Sequence, residues 1–120
     1  MPDWINSSDL FSYFYYFKHN QIQSNAKKLL QIADFFENTK IVEKIIEREI
    51  IPNLNEENSL AYLEDSFQKL STRMSGEQIW FILFKESMES VAENLIYYLQ
   101  NQFKLFVNIN KKLLEEIVEK

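Results

Sequence analysis

"TKIVEKIIEREIIP", residues 39–52, is the stretch that decides the fold class. Val42, Ile45, Ile46 and Ile50 recur at steps of three and four, while Glu43, Lys44, Glu47, Arg48 and Glu49 fill the positions between. That spacing lays branched apolar residues along one side of a helix and charges along the other; a half-buried strand would alternate instead. Asn38 or Thr39 can accept from a free backbone N–H at its start. Pro52 stops it, because proline has no N–H to donate and its ring clashes with the preceding turn.

The same logic extends in both directions. Upstream, a helix opens near Ser24 or Asn25 with Ala26, Leu29, Leu30, Ala33 and Phe36 on one stripe, and "ENTK" ends it. Before it lies "FSYFYYF" (11–17), six rings in seven positions. Leu10, Tyr13, Phe14 and Phe17 there fall on one helical face, with Ser7 or Ser8 as the expected cap. Downstream, "NLNEEN" (53–58) supplies Asn55 as an N-cap and two glutamates at the positive end of a helix dipole. Leu60, Leu63, Phe67 and Leu70 point inward from the helix that follows. "STRMSGEQ" (71–78) holds the only glycine and marks a break. From Gln78 to Phe106 neither Pro nor Gly interrupts the chain. Met88, Val91, Leu95, Leu99, Gln102 and Phe106 predict one long helix there, or two with a bend around Lys85–Ser90. A last helix is expected from about Lys111, carrying Leu113, Leu114, Ile117 and Val118. The sequence thus predicts an all-α protein, an orthogonal bundle of six or seven helices.

Composition narrows the function. One glycine and two prolines in 120 residues do not supply the turns of an all-β domain. A net charge of −5 lacks the basic stripe that neutralises phosphates, so no nucleic-acid partner is expected. The absence of cysteine removes thiol catalysis, disulfides and Cys-based zinc sites, and fits a reducing, cytoplasmic location. The first residues have no cationic region followed by an apolar stretch. The longest apolar run, "IWFILF" (79–84), is far short of the roughly 20 residues that cross a bilayer. A single histidine, His19, cannot make a two-His metal site, and one glycine cannot make a phosphate-binding loop. The pairs Glu56/Glu57, Glu64/Asp65 and Glu115/Glu116 are sequence neighbours, which diverge on a helix and form no dyad. The expectation is a protein without catalytic residues, metal or cofactor.

Residues 24–63, "SNAKKLLQIADFFENTKIVEKIIEREIIPNLNEENSLAYL", resemble the end of a BTB (POZ) domain running into a BACK domain. The family's leucine pair and alanine-containing helix are matched by "KKLLQIADFF", its apolar-acidic helix and stop by "IVEKIIEREIIPNL", and its Asn-led helix start by "NEENSLAYL". Ahead of them, "SSDLFSYFYYFKHNQIQ" is similar to the preceding BTB helix and turn. Behind them, "AENLIYYLQNQFKLFVNINKKLLEEIVEK" (92–120) resembles the BACK helices. The family's YTG glycine is replaced within "FKHN" (17–20), and residues 71–84 are longer than the usual BACK connection. The BTB sheet, its dimer-forming first helix and its cullin-contacting loop have no counterpart among these residues. The resemblance implies BTB C-terminal helices over 1–51 and a BACK-like region over 52–120. It implies that the aromatic helix packs beneath a BTB sheet. It also implies an adaptor that links a substrate to a cullin ubiquitin ligase, with a "3-box" groove at about 39–71 that includes Leu54 and Tyr62.

Independently of that resemblance, "IWFILF" covers the whole circumference of a helix. Such a helix is either central or covered by another molecule. Trp80, Phe81 and Phe84 are therefore candidate protein-contact residues. Segments 11–17 and 79–84 hold nine rings, each burying on the order of 150–250 Å² when covered. That load predicts exposed rings, self-association or a protein partner, and better solubility on replacing Trp80 or Phe81 by serine. A rival expectation is a structural subunit of a large assembly without a ligase role.

Overall fold

The computed structural model describes residues 2–22, 25–72 and 78–108, together with Lys111, Leu113, Glu115 and Ile117. The protein is all-α, and no strand occurs among the described residues. Its helices are α1 (Ser7–His19), α2 (Ala26–Phe35), α3 (Thr39–Ile45), α4 (Ser59–Thr72), α5 (Gln78–Glu93), α6 (Leu95–Asn101) and α7 (Phe103–Val107). Lys111, Leu113, Glu115 and Ile117 are helical as well. The chain forms two units, residues 1–52 and 53–120.

In the first unit α2 touches α1, α3 and the turn that follows α3. Its start is fixed by Asn25, whose side-chain oxygen accepts from the N–H groups of Lys27 and Lys28. Its end is a Schellman turn. Glu37 takes the left-handed conformation (φ 56°), its N–H donates to Asp34, and the Asn38 N–H donates to Ala33. Asn38 then caps α3 by accepting from the Ile41 N–H at 3.3 Å. One four-residue stretch, "ENTK", therefore closes one helix and opens the next.

Val42, Ile45, Ile46 and Ile50 are buried, as their spacing predicts, and Ile41 is buried with them. The backbone departs from the simple helix, however. Ile46–Ile50 form a π turn, closed by the Ile51 N–H donating to Ile46, and Ile51–Asn53 form a 3₁₀ turn containing Pro52. Across the wider π turn Ile50 remains on the buried side, and Glu49 is half-buried.

α1 begins differently from expectation. Its cap is Asn6 rather than Ser7 or Ser8, in a reciprocal capping box. The Asn6 side chain accepts from the Asp9 N–H at 2.8 Å, and the Asp9 carboxylate accepts from the Asn6 N–H at 3.1 Å. Three residues after Ser7 and Ser8 stand Leu10 and Phe11, which have no side-chain acceptor to return the bond. Asn6→Ala should lower stability by about 1 kcal/mol, read as a shift in the urea midpoint at unchanged slope. The buried side of α1 also differs. Ser12, Tyr13 and Tyr16 are buried and Leu10 is half-buried, while Phe14 and Phe17 are exposed. With six rings in seven positions, helical spacing fits several faces equally. The small Ser12 lies on the buried side, where it takes up little room.

The second unit is built on α4 and α5, which pair along their length. Ser59 lies against Ser90 (Oγ–Oγ 2.5 Å), Phe67 against Phe84 (centroids 6.1 Å) and Lys69 over Trp80 (5.7 Å). The partner number falls as the α4 number rises, so the two form an antiparallel hairpin. Ser59, Ser66 and Ser87 are fully buried, and small side chains let two helices approach closely. Before α4, the Asn55 side chain accepts from the Glu57 and Asn58 N–H groups and caps the leading turn. The Gly76 break falls in residues 73–77, outside the described residues.

α5 continues unbroken through Lys85–Ser90, and the interruptions come at Asn94 and Gln102 instead. Both lie off the helical region, Asn94 at φ −106°, ψ 26° and Gln102 at φ −133°, ψ 36°. Between the two breaks Tyr98 rather than Leu99 is buried, with Phe106 beyond them. Leu60, Leu63, Met88, Val91, Tyr98, Phe106, Leu113 and Ile117 make one apolar cluster. Leu114 and Val118, expected on the last helix, lie outside the described side chains.

Candidate protein-interaction site

The sequence-predicted contact residues separate into two groups. Trp80 is 2% exposed and Tyr62 is buried, so in the folded chain neither ring is available to a partner. Phe81, by contrast, is 57% exposed, and Ile82 beside it is exposed too. Phe84 and Leu54 are half-buried, Phe84 through its packing on Phe67. The reason lies in the hairpin. Ile79, Trp80 and Leu83 share the buried side of α5, and Phe81 and Ile82 occupy the opposite arc. "IWFILF" is thus an amphipathic segment with an unusually apolar outer face rather than a helix buried all round.

A larger exposed aromatic surface lies on the first unit. Phe14 is 60% and Phe17 56% exposed, and both border an open groove of about 340 Å³ whose other walls are Tyr13, Phe36 and Asn38. Tyr13 stacks on Phe36 (5.4 Å, 30°), and its hydroxyl accepts from the Asn38 side-chain amide at 3.2 Å. That amide is held by the cap it makes on α3. The polar end of the groove is therefore fixed by the same residue that joins α2 to α3. The rings continue from Phe36 to Phe35 (5.3 Å) and from Phe35 to Trp4 (5.8 Å), and all three are exposed.

Trp4 is tethered from behind. The Lys28 ammonium sits 5.1 Å from its ring centroid, donates to its carbonyl at 2.5 Å and lies 3.8 Å from the Asp9 carboxylate. A surface ion pair of that length contributes little alone, but the three contacts fix the N-terminal segment beside α2. Sequence reasoning gave 11–17 as a possible contact surface and missed Trp4, Phe35 and Phe36. The available signal was the Phe35–Phe36 pair, since adjacent helix positions lie about 100° apart and two large rings there rarely fit one core together.

Among the described residues no three His, Asp or Glu side chains come together as metal ligands. His19 is exposed and packs against Tyr15 at 4.6 Å. No helix among the described residues is long and apolar enough to cross a membrane. The chain matches no protein-family model, no curated protein and no solved structure.

Proposed function

We propose that this protein is a non-enzymatic protein–protein interaction module. The observation that carries the reading is the joined aromatic surface of the first unit, Phe14 and Phe17 beside the Tyr13–Phe36–Asn38 groove. Rings that keep more than half their area in water favour a protein covering, and aromatics are the residues on which interface energy concentrates. The finer form of the proposal is adaptor work of the BTB–BACK kind, joining a substrate to a cullin ubiquitin ligase inside the cell. It rests on the resemblance of residues 24–63, and a cysteine-free chain is compatible with a reducing compartment.

The test is binding of a cullin N-terminal region by this chain joined to a BTB sheet portion. Leu54→Asp should weaken that binding at least tenfold without loss of helical signal, because Leu54 is only half-buried. No binding by the joined protein would transfer the proposal to its second form, a structural subunit of a larger assembly. A specific observation favours that second form as well. The second unit carries its own exposed apolar residues, Ile96, Leu99, Phe103, Leu105 and Val107, so each unit offers a surface to a neighbour.

A further inference from the structure

The interaction reading leaves the occupant of the aromatic surface open, and the following inference rests on that reading. Trp4, Phe14, Phe17, Phe35 and Phe36 together expose the equivalent of about two and a half whole aromatic residues. At about 200 Å² each, that is roughly 500 Å² of ring surface per chain. The largest apolar patch on an ordinary monomer is about 300–600 Å², so this one lies near the top of the range before flanking residues are included. A stable interface needs about 800 Å² from each partner. Two such faces set against each other, with their polar margins, meet that requirement.

Charge narrows the occupant further. Residues 1–52 hold six Lys or Arg (Lys18, Lys27, Lys28, Lys40, Lys44, Arg48) against seven Asp or Glu (Asp3, Asp9, Asp34, Glu37, Glu43, Glu47, Glu49), a net of −1. The whole chain carries −5, so the remaining residues carry −4. The five rings and the groove residues Tyr13 and Asn38 are uncharged, and the exposed neighbours in sequence have both signs, Lys18 and Lys40 with Glu37. A surface built for a strongly basic or acidic partner would show the opposite sign at its margin. A near-neutral margin of mixed sign can face a copy of itself without net repulsion. The patch also contains both halves of a self-complementary fit, since the protruding Phe14 and Phe17 rings border the groove themselves.

We infer that the aromatic face of the first unit binds a second copy of this chain, in a twofold dimer that pairs the Phe14–Phe17 ridge of each protomer with the groove of its partner. A twofold interface uses the same patch on both subunits, which is what a ridge adjoining its own groove provides.

Light scattering and sedimentation of the full chain should give twice the mass of one chain. Phe14→Ser with Phe17→Ser should return it to the mass of one chain with an unchanged helical spectrum, because both rings are exposed. Phe103→Ser, on the exposed surface of the second unit, should leave the doubled mass intact. A readout that retains every ring is also available, because the chain has no cysteine of its own. A spin label on Lys18→Cys, next to the ridge, should show coupling to the label of a second chain. A wild-type chain of single mass, absence of that coupling, or dissociation by Phe103→Ser instead of the ridge pair would each overturn the inference. A monomer that still bound the cullin region would remove self-pairing alone, whereas a dimer without cullin binding would remove the adaptor form alone.

Discussion

Trp80→Ser should destabilise the protein by about 3–5 kcal/mol, the usual cost of truncating a buried large aromatic. The ring is 2% exposed and lies beneath the Lys69 ammonium on the inner side of the α4–α5 hairpin. Its neighbour gives the opposite result. Phe81→Ser removes a ring that is 57% exposed, so stability should move by no more than about 0.5 kcal/mol, and solubility should rise. Urea unfolding of the two variants side by side checks both statements. Similar losses in the pair would mean that Phe81 is covered, and that the two arcs of α5 have been assigned the wrong way round. The sequence alone treated Trp80 and Phe81 as equivalent candidates for better solubility, and the structure separates them.

Tyr98→Phe should cost about 1–3 kcal/mol although it removes a single oxygen. The Tyr98 hydroxyl accepts from the backbone N–H of Leu60 at 3.2 Å, in the first turn of α4, where helical N–H groups have no partner of their own. The residue is fully buried, so phenylalanine leaves that N–H dry and unpaired. Ser59 joins the same cluster, donating to the Asn55 carbonyl at 2.6 Å and sharing a hydrogen bond with Ser90.

The pH dependence follows from the same environment. Burial, above all, holds the Tyr98 hydroxyl above its usual value of about 10, and the hydrogen bonds from Leu60 and Ser59 only partly offset it. Burial likewise raises Tyr16 and Tyr62, with smaller contributions from Glu49 and Asp65. In the unfolded chain these phenols ionise near pH 10, while in the folded chain they hold their protons to higher pH. The folded state then binds more protons, so stability falls as pH rises. The contribution is complete below about pH 10 and is lost as pH climbs through the raised folded values. Urea midpoints should therefore be flat from neutral pH to about 9 and drop steeply above 10. Tyr98→Phe should make that drop shallower. A midpoint that stayed level through this range would show that the three phenols ionise as readily in the folded chain as in the unfolded one.

How far the sequence could be read depended on how many residue types competed for each face. Along 39–50 isoleucine alternates with charge, so only one side can be buried, and Val42, Ile45, Ile46 and Ile50 all lie there. The same holds for Leu29, Leu30 and Ala33 on α2 and for the Asn25 and Asn38 caps. Along 11–17 nearly every position is aromatic and periodicity no longer selects a face: it groups Phe14 and Phe17 with Tyr13, whereas the structure exposes the first two and buries the third. The choice between Tyr98 and Leu99 was hidden for a related reason. Tyr98, seven residues after Val91, suits the α5 stripe as well as Leu95 and Leu99 do, and the structure buries Tyr98 and exposes Leu99. The interaction surface was the least legible part, because it joins rings from the N-terminal segment, α1 and the end of α2 that no local spacing connects.

The π turn at Ile46–Ile50 has a bearing on how this chain should be set beside others. A π turn holds one more residue than the α turn it replaces, so after Ile46 every position is offset by one from an ordinary helix of the same role. An alignment against an uninterrupted α-helix must open a one-residue gap within 46–50. Without that gap Ile50, four residues after Ile46, still scores as interior, but Ile51 and each position beyond it is set one residue out of register.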